Sequence, residues 1–151
     1  MYLDEDEFLD IIKKTPLVSI DLIVRDENQN ILLGCRKNRP AQGKWFVPGG
    51  RIRKDESIAN ACSRISQKEL GVHVSADDTR FLGVYEHLYD DNVAGIPGFG
   101  THYVVLGHEV MLPASQLSPP TEQHTEYRWL SERQILQDPD VHENTKLYFC
   151  E

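Results

Sequence analysis

Residues 48–72, PGGRIRKDESIANACSRISQKELGV, decide how the chain is read. The stretch opens on a glycine turn, crosses a short polar loop and runs as one amphipathic helix to a glycine stop. Asp55 reads as the N-cap and Gly71 as the glycine just past the end. With Ile58 as origin and about 100° per residue, Ala61, Cys62 and Ile65 share its narrow sector, which is the face expected to pack. Glu69 falls in the same sector, in the last turn. A carboxylate on an apolar stripe is costly unless it is paired or coordinated. The helix dipole also disfavours an anion at that end. A lone glutamate there reads most simply as one that frays out to water. Here the neighbours point elsewhere. Pro48-Gly49-Gly50 places unhindered backbone just before the helix, and Arg36, Arg51 and Arg64 lie close in sequence. Glycine backbone, one inward carboxylate and arginines are the components of a metal–diphosphate site.

Upstream, Asp4 to Lys14 is an amphipathic helix with Phe8, Leu9, Ile11 and Ile12 as its apolar members, stopped at Thr15-Pro16. Leu17–Arg25 and Ile31–Cys35 are strands around the turn cluster Asp26–Asn30, which together form a hairpin. Asp21 interrupts the first strand; its plain reading is a solvent-facing acid. Arg36 follows the second strand directly and opens a basic loop to Gly43. Because the strand end fixes its position, Arg36 is the candidate diphosphate contact, since a planar guanidinium fork suits phosphate oxygens. Trp45–Val47 is a short strand feeding the glycine turn. Downstream, Phe81–Tyr89 and Thr101–Val110 are strands flanking a long loop, residues 90–100, whose length hints at function or mobility. His87 and Tyr103 lie on these strands, where packing is the plain reading. Residues 111–121 are a connector, Tyr127–Leu130 a last short strand, Ser131 the N-cap of a helix to Gln137, and Asp140–Phe149 a final helix. The expected class is α/β, a mixed sheet with helices on both faces, in a single domain over residues 1–151.

Lysine plus arginine number 16 against 24 acidic residues, a net charge of −8. That balance argues against a nucleic-acid partner. An anionic substrate must then be met by local arginines and a metal against the overall field. Cys35, Cys62 and Cys150 follow no metal or redox spacing, and an odd, unpatterned count suggests a reducing compartment. The acidic start is unlike a signal peptide and no apolar run reaches membrane-spanning length, so a cytoplasmic protein without a membrane partner is expected.

The quoted stretch resembles a Nudix box, G-x5-E-x7-R-E-U-x-E-E-x-G-U with U a bulky aliphatic. It matches at Gly50, Glu56, Arg64, Glu69, Gly71 and Val72. It departs at Ile65, Ser66 and Lys68, which replace a glutamate, an aliphatic and a glutamate. With TPLVSIDLIV, NRPAQGKWFVPGGR, YDDN, THYVVLG, EQHTEYRWL and DVHEN, the chain resembles the GDP-mannose mannosyl hydrolase subfamily along nearly its whole length. That resemblance implies an α/β/α sandwich with the box helix against the sheet. It implies a homodimer acting on a GDP-sugar. The N-terminal segment, through Tyr2, Leu3 and Phe8, is implied in guanosine binding, where an aromatic can stack on a base. Asp21 is implied near the sugar and the arginines, with Arg51 and His87 also on the substrate. Tyr103 is implied as a phosphate-binding hydroxyl. The side-chain oxygen of Gln123 is implied as a metal ligand beside the Gly49 carbonyl and Glu69.

Such a set suits one Mg2+, which takes hard oxygen ligands and keeps waters or substrate oxygens. Several cations would be poorly neutralised by a single carboxylate. Water attack at the anomeric carbon, with GDP leaving, is then the expected reaction, inverting the centre. Magnesium, Arg36 and Tyr103 would take the leaving charge. His124, beside Gln123, is the candidate base. Two alternatives stand beside this reading: a pyrophosphohydrolase attacking phosphorus, and a catalytically silent nucleotide-sugar binder.

Overall fold

The computed structural model describes residues 3–119 and 124–150, with the side chains of His124 and Thr125 left aside. Tyr2 and Gln123, both expected at the site, lie outside the described residues.

The central strand β1, Leu17–Arg25, carries apolar side chains on both faces. Ile20, Leu22 and Val24 point to one core and Ile23 to another. β1 turns at Asp26–Asn30 into β2, Ile31–Arg36, with Arg25 opposite Ile31. The Asp26 carboxylate accepts the backbone N–H groups of Asn28 and Asn30 and so closes the turn. β3, Trp45–Phe46, pairs with β2. The expected glycine turn is in fact a strand, β4, Gly49–Arg51, antiparallel to β1 with Asp21 opposite Gly49. Close approach requires glycine here: a side chain at Gly49 would collide with Asp21 Oδ1 and the Ile20 carbonyl.

The long strands β5, Arg80–Tyr89, and β6, Thr101–Met111, expected on either side of the long loop, pair antiparallel, and β6 runs parallel to β1 along the whole length of β1. β7, His124–Leu130, pairs with β2. The seven-stranded mixed sheet runs β3-β2-β1-β6-β5, with β4 added to β1 and β7 to β2.

Helix α1, Glu5–Lys14, is capped by Asp4 and buries Ile12. The quoted stretch gives α2, Ile58–Leu70, which ends at Gly71 with φ 73°. Its N-cap is Ser57, whose hydroxyl accepts the Asn60 N–H, and not Asp55. Ile58 is therefore the first helical residue and stays 48% exposed, so the packing stripe begins a turn later than expected. Ala61, Cys62, Ile65 and Leu70 join Ile20, Leu22 and Val24 in one core. Ile135 of α3, Glu132–Gln137, packs with Val141, Trp45 and Ile23 in the other. The expected final helix is two pieces: α4, Glu143–Lys146, capped by His142, and a 3-10 turn over Leu147–Phe149. Helices thus cover both sheet faces, an α/β/α sandwich. No helix among the described residues is long and apolar enough to cross a membrane.

Candidate active site

The middle of β1, all of β4 and the ends of β2, β5, β6 and α2 converge on a cleft of about 100 Å³ that holds Asp21, Arg36, Gly49, Arg51, Glu69, His87 and Tyr103. It shares Arg36 and Tyr103 with a second concavity of about 190 Å³ floored by Phe8 and Ile12 of α1. Strand register explains the convergence. Tyr103 stands opposite both Leu17 and His87, and Gly49 opposite Asp21.

Arg36 is held as its strand-end position suggested. Its N–H donates to the Lys44 carbonyl at 3.0 Å, and its own carbonyl accepts from Gly43 at 2.9 Å. The guanidinium lies 5.0 Å from the Phe46 ring centre, and Phe46 in turn stacks on His142 at 4.8 Å. Phe46 is thus a platform that aims Arg36 at the cleft. Arg51 lies 5.0 Å from the Phe8 ring centre, which ties α1 to the cleft wall. Arg64, grouped with these two in sequence, does not line this cleft but an adjoining concavity with Gly49, Gly50, Arg51 and Glu69. It donates to both oxygens of Glu56, at 2.7 and 2.9 Å, and to the Arg51 carbonyl at 2.7 Å. Glu56 also accepts the Arg53 N–H at 3.0 Å, so this pair staples the loop to the helix. The Arg64 hydrogen bonds hold the Glu56 carboxyl down at about 2.

Glu69 shows the opposite chemistry. It is only 4% exposed, and burial pushes its carboxyl up to about 7, against the pull of Lys68 and Arg36. Asp21 is pushed to about 7 by the same cause, although Tyr148 donates to its Oδ2 at 2.6 Å. His87 is buried, its Nε2 has no hydrogen-bond partner among the described residues, and burial with the nearby His142 pulls it down to about 4. It is neutral at pH 7. Burial raises the Tyr103 phenol.

The altered box positions are filled by packing. Ile65 is buried against Gly50. Ser66 is buried too, donating to the Ser63 carbonyl at 3.1 Å and accepting the Val74 N–H at 2.9 Å. Among the described residues no three His, Cys, Asp or Glu side chains gather into a metal-binding group. What the cleft does offer is the Glu69 carboxylate beside the bare Gly49–Gly50 backbone and Asp21 Oδ1. This donor set is all hard oxygen, which fits a single divalent ion that fills its remaining positions with water or substrate oxygens.

The backbone of His124 lies opposite Arg36, a residue of the cleft, in the β2–β7 pairing. Leu3 is not brought to the cleft; it lines an apolar groove with Ile11, Pro16 and Ile52 that shares Arg51 with it. Sequence reasoning missed Phe46, Tyr89 and Tyr148. The first two were legible only as strand residues, and Tyr148 reaches Asp21 across 127 residues of chain.

Residues 15–149 match the family described as NUDIX domain. The low-salt glycan biosynthesis protein Agl8 of Haloferax volcanii is 42% identical over 125 residues, covering 82% of this chain and 76% of that protein. Among solved structures, the MutT protein from Methanosarcina mazei Go1 superposes with a TM-score of 0.71 at 20% identity, over 90% of this chain and 92% of that one. The NUDIX domain of Shewanella oneidensis NrtR, complexed with ADP ribose, gives 0.66 at 20% identity, over 97% and 95%. At those identities the two structures speak for the fold. With the family match spanning residues 15–149 and the relative at 42% identity, the chain belongs to the Nudix family.

Proposed function

We propose that the protein hydrolyses a GDP-sugar, GDP-mannose or GDP-glucose, to GDP and free sugar by water attack at the anomeric carbon with inversion. The observation that carries this reading is the inner face of α2. It presents one carboxylate, Glu69, where a box rich in carboxylates would hold several ions around phosphorus, and Ile65 and Ser66 are closed off by packing. The sugar-related name of the 42% identical relative agrees with it.

Arg36, Arg51 and Tyr103 take the diphosphate, with Phe46 aiming Arg36. Phe8 and the concavity beside it receive the nucleoside. Asp21 and neutral His87 meet the sugar end. One Mg2+ on the Gly49 carbonyl, Glu69 and Gln123 would neutralise charge on the departing diphosphate. His124 takes the proton of the attacking water, and its place opposite Arg36 supports that role. The resemblance extends to a homodimer, and the cysteine pattern to a cytoplasmic setting.

Product analysis with GDP-mannose, magnesium and 18O-labelled water tests the bond attacked. Label in free mannose, with GDP, is expected. Label in phosphate, with GMP and mannose phosphate, means attack at phosphorus, and binding without turnover means a sensor. His124→Gln is expected to lower turnover on the order of 10²–10⁴-fold. A histidine base works when neutral, so wild-type activity rises with pH through a pKa near ~6.5, and His124→Gln flattens that limb. A retained acid limb moves the base elsewhere, with His87 and Asp21 next in line.

A further inference from the structure

Loop 90–100 is built, despite its length, around one buried side chain. Asn92 is 0% exposed, and its amide satisfies four backbone groups. It donates to the Ile96 and Phe99 carbonyls at 2.8 and 3.0 Å and accepts from the Ala94 and Ile96 N–H groups at 3.2 and 3.1 Å. The Thr101 hydroxyl donates to the Asp91 carbonyl at 2.7 Å and fixes the loop to β6. A buried, fully bonded amide makes a rigid loop.

That loop grips the basic loop across the second concavity. Arg39 Nε donates to Asp91 Oδ2 at 2.7 Å. Its guanidinium also lies on Gly95 so closely that any side chain there would collide with it. Val93, from one loop, and Asn38, Arg39 and Pro40, from the other, then wall the concavity that Phe8 floors. Arg39 and Asp91 are partly exposed, and such an ion pair contributes little to stability. Its position gives it a different use.

We infer that the Arg39–Asp91 pair is a clasp that sets the gap of the nucleoside subsite, so that Arg39 and Asp91 are positioning residues for nucleoside recognition and not phosphate contacts. The inference rests on the functional reading above. In this role Arg39, in the loop that Arg36 opens, governs affinity for the nucleoside, while Arg36 governs the diphosphate.

The test is calorimetric binding of GDP, UDP, ADP and inorganic pyrophosphate, with magnesium, to wild type, Arg39→Ala, Asp91→Ala and the double variant. Each single change is expected to weaken the preferred nucleoside diphosphate about tenfold, the double change no further, and pyrophosphate less than about twofold. Equal weakening of pyrophosphate by Arg39→Ala makes Arg39 a phosphate ligand and overturns the clasp. So does an effect of one single variant without the other, or additive effects in the double. Preference for UDP or ADP overturns the guanine assignment and leaves the clasp to be scored on that ligand. Wild type that binds no nucleoside diphosphate overturns the functional reading and the clasp together.

Discussion

Glu56 and Glu69 belong to one motif and carry the same side chain, yet the fold drives their carboxyls apart, one held at about 2 and the other raised to about 7. Glu56 gained Arg64 and the Arg53 N–H as partners. Glu69 was carried inside by the apolar stripe of α2. The first satisfies the fold, since its ionised form is solvated by fixed donors. The second holds a charge-seeking oxygen in a place the protein itself makes costly for a charge. A motif match therefore does not separate a residue that braces the scaffold from a candidate for the chemistry; their electrostatic surroundings mark the difference.

The contrast is most exposed at Glu69. Glu69→Gln is expected to lower turnover at limiting magnesium at least ~10²-fold, because the only carboxylate of the proposed ligand set is lost. At pH 8 the same change should make the metal-free protein more stable, by about 1–3 kcal/mol, since it removes a buried charge. Wild-type activity at low magnesium would break the comparison, as would a loss of stability in the metal-free form. Glu56→Gln should do the reverse. Chemical denaturation at pH 7 should show a loss of about 2 kcal/mol, from breaking charge-assisted bonds, while turnover per folded molecule changes little.

The pH dependence sharpens the same point. Glu69 is raised in the fold, so its contribution is present below about 4.5 and is lost as pH rises toward about 7. Glu56 is depressed, so its contribution is present above about 4.5 and is lost as pH falls toward about 2. His87, depressed to about 4, loses its contribution as pH falls below 6.5, which opposes Glu69 in the wild-type curve. Stability differences between variant and wild type isolate each carboxyl. The Glu69→Gln advantage should grow from pH 4.5 to 7, and the Glu56→Gln deficit should shrink from pH 4.5 to 2. Parallel curves would show that neither shift exists.

The smallest effect concerns Asp21, raised by burial like Glu69 and hydrogen-bonded by the Tyr148 phenol. Tyr148→Phe removes that hydrogen bond and should cost about 1 kcal/mol of stability. It should also raise the Asp21 carboxyl further, readable by carbon NMR of that side chain. An unmoved Asp21 resonance would mean that the phenol does not hold it.

Much of this was legible in the sequence where the cause is local. The amphipathic period placed Glu69 on the packed face, and the strand end placed Arg36. The turn residues Asp26–Asn30 placed the hairpin. The errors are local competitions. Asp55 and Ser57 both could cap; Ser57 does, and Asp55 takes a φ of 65° in the loop before it. Gly49–Arg51 looked like a turn because glycine favours turns, whereas here it allows β4 to lie against Asp21. Phe46 as the platform for Arg36 depends on the β2–β3 pairing, and Tyr148 as the partner of Asp21 on a contact between distant segments. No periodicity encodes those.

The parallel pairing of β1 with β6 has a consequence for how the molecule is made. β1, rich in buried apolar side chains, is made well before its long partner β6, and Arg25 meets Glu109 across 84 residues. Until then β1 can form only its hairpin with β2 and the short ladder with β4. Contacts of such sequence separation form late and slow the search. The nascent chain therefore carries an open, sticky strand edge until β6 has been made, a stage at which chaperone capture or mispairing competes with folding. Asp21, whose partner Tyr148 lies 127 residues further along the chain, is completed only after β6 has been made.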